Sequence, residues 1–98
     1  METTPLEARQ SEVDQYTANI AMYTAILETL PTEYPKHLVG FKGSKDKHAV
    51  IATVENLDDV ELLSKLWQAD DCRAAIRTEI LERSKANSIL AVLKSVAN

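Results

Sequence analysis

From Leu57 to Ala97 the chain repeats apolar residues at intervals of three and four, a spacing that a helix turns into one continuous face. Asn56 is a good N-cap residue, and Asp58 and Asp59 follow it where carboxylates suit the positive end of the helix dipole. Leu57, Val60, Leu63, Leu66 and Trp67 then make a buried face, widened by Leu62. Past Trp67 the pattern thins through Gln68, Ala69, Asp70 and Asp71. Either aspartate could cap a second helix, whereas Ala69 and Cys72 would let one helix continue. The thinning favours a break or bend, with helices near 57–69 and 70–97.

From Cys72 the stripe resumes through Ile76 and Ile80, passes Arg83 and Asn87, and closes on Leu90, Leu93 and Ala97. Its middle is polar: between Glu82 and Ser88 only Ala86 is apolar. Arg83 can lie along a core by its methylene stem, and the competing reading is a polar layer that sets helix register or partner choice. The last turns, with Ile89, Leu90, Ala91, Val92, Leu93 and Val96, are apolar on nearly every side. A helix of that kind wants cover from more than one direction, and the run is far shorter than the roughly 20 apolar residues of a membrane span. A second chain or another helix is the expected cover. The candidate partner interface is therefore Ile76, Ile80, Arg83, Asn87, Ile89, Leu90, Val92, Leu93 and Val96.

The N-terminal helix has an equally clear beginning. Thr4 sits at the N-cap, Pro5 at the first helical position where its missing N–H costs nothing, and Glu7 where it completes a capping box. Leu6, Val13, Ile20 and Leu27 repeat every seven residues, and Arg9, Tyr16, Tyr23 and Leu30 repeat three places later. This heptad, broadened by Met22 and Ile26, predicts a coiled-coil-like helix over 5–30 in an antiparallel bundle or a dimer seam. Tyr16 and Tyr23 read as core aromatics with hydroxyls at the rim rather than as a ligand-stacking pair. Pro31 ends the helix and pushes Leu30 out of helical geometry.

Between the two lies a connector, 31–48. Pro31 and Pro35 stiffen its start, and the stretch from Lys36 to His48 holds both glycines, four lysines and both histidines. Gly40, Phe41, Lys42 and Gly43 spell a GxxG of the kind that clamps nucleic-acid backbone in KH domains, yet the strands of such a fold are missing apart from 48–54. Lys42, Lys45, Lys47 and His48 are nonetheless the candidate anion contacts. Ala49 to Val54 suits a short helix near 45–55 capped by Ser44, with a β-hairpin over 37–54 as the alternative.

Charge alternates along the chain. Residues 1–35 carry six acids and one base, 36–48 four bases and one acid, 49–71 six acids and one base, and 72–98 five bases and two acids. The net charge of −4 conceals this, and the blocks favour pairing an acidic helix with a basic one, within the chain or between chains. Cys72 is the lone cysteine, so an intramolecular disulfide and a cysteine-rich zinc site are excluded; a buried thiol is preferred over a thiolate near Arg73 and Arg77. Paired aspartates at helix starts read as caps rather than as a general acid and base, His37 and His48 lack companion ligands, and no nucleophile triad stands out.

With 98 residues the expectation is one domain, 1–98, with a flexible terminus at 1–4. The fold class is all-α: a small bundle whose long first and last helices pack antiparallel. The expected function is a non-enzymatic protein–protein interaction or assembly module, self-associating as a homo-oligomer such as a homodimer. The alternative is a small nucleic-acid or phosphate-binding regulator. No cofactor, no metal, no membrane association and a cytoplasmic location complete the expectation.

Overall fold

The structure, a computed structural model, describes residues 4–97, without the side chain of Ala97. Of the terminus expected at 1–4, residues 1–3 lie outside the described residues. Thr4 does what its position demands: its hydroxyl accepts from the Glu7 N–H at 3.1 Å and opens helix α1, Pro5–Glu28. The helix stops two residues short of Leu30, with the N–H groups of Thr29 and Leu30 turned back onto Ile26 and Leu27. Pro31 cannot supply the next N–H, so the last turn closes on itself.

A connector follows, with a single 3-10 turn at Val39–Phe41 and a short helix α2, Lys47–Thr53. The expected short helix is present, but Asp46 rather than Ser44 caps it, accepting from the Ala49 N–H at 3.0 Å. Among the described residues there is no strand, so the hairpin alternative falls away.

Helix α3 runs unbroken over Leu57–Ala97. The break expected near residue 70 does not occur. From Ser44 onward the chain has neither proline nor glycine, and Ala69 and Cys72 are buried against neighbours. Asp70 is bound by side chains rather than by free N–H groups of a new helix start. Asn56 does act as the cap, its side chain accepting from the Asp58 N–H at 2.8 Å.

Helices α1 and α3 lie antiparallel. Thr17 meets Arg83 at 3.3 Å and Asn19 meets Glu79 at 3.2 Å, so positions rise along one helix as they fall along the other. The heptad positions of α1 are the ones turned inward: Leu6, Val13, Ile20 and Leu27, with Arg9, Tyr16, Tyr23 and Leu30, are half-buried while their neighbours are mostly exposed. None of them is fully buried.

The densest packing lies elsewhere, where the connector wraps the first turns of α3. Leu38, Leu63 and Trp67 are buried there, surrounded by Tyr34, Phe41, Val50, Val54 and Leu62. The Trp67 indole N–H donates to the Phe41 carbonyl at 3.2 Å, so the aromatic ring is buried without leaving its polar atom unpaired. The molecule measures 63 × 22 × 20 Å, and its radius of gyration is 19.4 Å, against about 13 Å for a compact domain of this length. It is a rod. No described helix is long and apolar enough to cross a membrane.

Candidate interaction surface and basic cleft

Successive helical residues are set about 100° apart, and that angle decides what the second half of α3 can present. The nine expected interface residues do not form one face. Leu90 is buried, and Ile76, Arg83 and Leu93 are half-buried, all on the side turned to α1. Ile80 and Asn87 lie on one flank, where they line a shallow groove of about 390 Å³ with Arg83, Ser84, Ser88 and Ala91.

Ile89, Val92 and Val96 lie on the opposite flank. There they join Leu81 and Lys85 in a sector about 80° wide by the same helical angle. Leu81 is 56% exposed, Ile89 40%, Val92 62% and Val96 79%. Four branched apolar side chains on one line of one helix make a greasy stripe, interrupted between Leu81 and Ile89 by Lys85, which is tied back to Glu82 at 3.2 Å. Leu81 was not among the expected interface residues. The signal was in its spacing, eight positions before Ile89 and eleven before Val92.

Arg83 reaches across the helix pair to Thr17 rather than forming a layer with Asn87, which is exposed. The polar centre of the stripe is thus a side feature of the seam.

The four expected anion contacts also separate. The Lys47 ammonium lies over the Trp67 ring, 5.6 Å from its centre, and 3.8 Å from Asp71. Lys45 and His48 are exposed, and neither forms an ion pair among the described residues. His37 and His48 are both exposed, as expected of surface histidines, and His37 meets Asp59 at 3.1 Å.

Lys42 alone faces a cleft. Its ammonium sits 5.7 Å from the centre of the Tyr34 ring, and with Thr32, Gly43, Asp70, Arg73 and Arg77 it lines a hollow of about 350 Å³ between connector and α3. Gly43 turns the chain at the rim with φ of 76°, a left-handed geometry that a side chain would strain. Arg73 and Arg77 were not expected here. They stand four apart on α3 and share a face, but nothing in the sequence links that face to Lys42.

One carboxylate organises the wall of this cleft. The Tyr34 hydroxyl donates to one Asp70 oxygen at 2.6 Å, and the Arg73 guanidinium donates to the other. Burial raises the Tyr34 hydroxyl well above its ordinary range, and the bond to Asp70 raises it further. Burial also pushes the Asp70 carboxyl up, but the hydrogen bonds from Tyr34 and Arg73, with the charges of Arg73 and Lys42, outweigh it. The group is held below the usual carboxylate value. Asp70 is thus a locked anion that fastens the connector to α3.

Cys72 is buried in mid-helix and not at a helix start. The chain matches no protein-family model, and neither curated proteins nor solved structures show a significant similarity to it.

Proposed function

We propose that the protein is a non-enzymatic assembly module whose second copy covers the Leu81–Ile89–Val92–Val96 stripe. The observation that carries this reading is the stripe itself, together with the area the fold leaves uncovered. The chain exposes 7058 Å². A compact monomer of 10.9 kDa would expose about 5,600 Å². The surplus, about 1,500 Å², exceeds the roughly 800 Å² that each partner contributes to a standard interface.

Charge supports a second copy of this chain over an unrelated partner. Although α1 is acidic and the second half of α3 basic, no ion pair joins the two helices among the described residues. Their cross-helix bonds are Asn19 to Glu79 and Arg83 to Thr17. Asp14 and Glu28 on α1, and Lys94 on α3, are exposed. In an antiparallel pair of rods the acidic helix of one copy meets the basic helix of the other, and the same patch serves both copies, as a two-fold interface requires.

Light scattering on the eluting protein at tens of micromolar tests this. The expected mass is twice 10.9 kDa. The double variant Ile89→Lys with Val92→Lys should halve that mass without loss of helical signal, because both side chains are already exposed in the single chain. A wild type that stays single at that concentration sinks the reading.

A further inference from the structure

The cleft between connector and α3 holds three cations and one carboxylate, and the carboxylate is already spoken for. Asp70 accepts from Tyr34 on one oxygen and from Arg73 on the other, so its charge is balanced within the wall. Two cations remain. Arg77 forms no hydrogen bond or ion pair among the described residues, and Lys42 has only the face of the Tyr34 ring. Thr32 lines the same hollow.

We propose that this cleft binds a dianionic phosphate group, as free phosphate or as the monoester of a small molecule. Two unpaired positive charges match two negative ones. Arginine offers its planar fork to phosphate oxygens, lysine a point charge, and threonine a donor for a third oxygen. The hollow, about 350 Å³, lies in the range of small-molecule sites. The Tyr34–Asp70–Arg73 bonds fix one wall before any ligand arrives, which lowers the ordering cost of binding. A nucleic-acid strand fits less well, because Lys45, Lys47 and His48 do not continue the cleft as a track along which a backbone could run.

This site is separate from the greasy stripe and stands or falls without it. Titrations of the labelled full chain with inorganic phosphate and with phenyl phosphate, followed by amide NMR at low salt, test it. Saturable shifts confined to the amides of Thr32, Lys42, Gly43, Arg73 and Arg77 are expected in at least one arm. The tighter arm tells whether the natural source is the free ion or an ester. Lys42→Gln and Arg77→Gln, each at an exposed position, should weaken binding about tenfold apiece, and Lys45→Gln should leave it unchanged. Dimethyl phosphate, a diester with the same tetrahedral centre but one charge fewer and two of its oxygens methylated, should bind more weakly than either probe. The proposal is overturned if neither probe saturates by about 10 mM, or if the two glutamine variants bind as well as wild type. Shifts spread evenly over all the lysines, or dimethyl phosphate binding as tightly as the dianions, overturn it too.

Discussion

At one end of α3, Leu63 and Leu66 are wholly buried and Trp67 nearly so; at the other, α1 lies along twenty-four residues of helix and buries none of its own side chains completely. The two regions draw on similar residues, leucine, isoleucine, valine and large aromatics. What differs is the number of sides covered. The connector wraps its stretch of α3 with two prolines, a 3-10 turn and a short helix, so Tyr34, Leu38, Phe41, Val50 and Val54 approach from several directions. Two straight helices touch along a line, and every residue that α1 brings to the seam keeps one side open to water. A long heptad therefore makes a register without making a core.

The largest effect that tests this contrast is Leu63→Ala. Removing a wholly buried leucine from a three-sided site should cost about 3 kcal/mol in chemical denaturation, with Trp67 fluorescence reporting the loss. A cost below about 1 kcal/mol would mean that the connector core contributes no more than the seam.

Asp70→Asn comes next, at about 1–2 kcal/mol, because it weakens the charged bonds that hold connector to helix. The pH dependence carries a sign. The folded carboxyl lies below its unfolded value of about 3.9, so its stabilising share is complete above that pH and is lost as pH falls through the folded value. Tyr34 is raised in the fold, so its share is complete below an unfolded value of about 10 and is lost as pH rises beyond it. Denaturation across pH should show both declines in the wild type. Asp70→Asn should lose the acid one and Tyr34→Phe the alkaline one.

The smallest effect sharpens the other half of the comparison. Ile20→Ala, at a half-covered heptad position, should cost only about 1 kcal/mol at dilute concentration. A loss near that of Leu63→Ala in a demonstrably single species would show the seam to be as well packed as the connector core.

Much of this architecture could be read from residue order alone. Thr4, Pro5 and Glu7 mark the start of α1, its heptads pick out the seam, and Asn56 marks the start of α3. These are local or periodic signals, and a helix obeys them whatever surrounds it. The connector core was hidden because Tyr34, Leu38 and Phe41 follow no period. Asp70 was misread for a related reason: its partner Tyr34 stands thirty-six positions away, and an aspartate before a thinning stripe looks like a cap. Ser44 was read as the cap of α2, but Asp46, directly before Lys47, holds that place. In the candidate sites, single residues were legible but their grouping was not. Lys42 was named with the wrong companions, and Leu81 fell outside the expected patch because it lies off the Ile76–Ile80–Leu90 stripe that the reading followed.

The missing bend has a consequence of its own. With no pivot along forty-one residues, α3 is a ruler: about 38 Å separate Trp67 from Val92, and the angle between the clasp at one end and the greasy stripe at the other is set by the helix alone. Two copies joined through their stripes would hold their basic clefts at a constant spacing and orientation, a geometry that neither cleft could choose for itself.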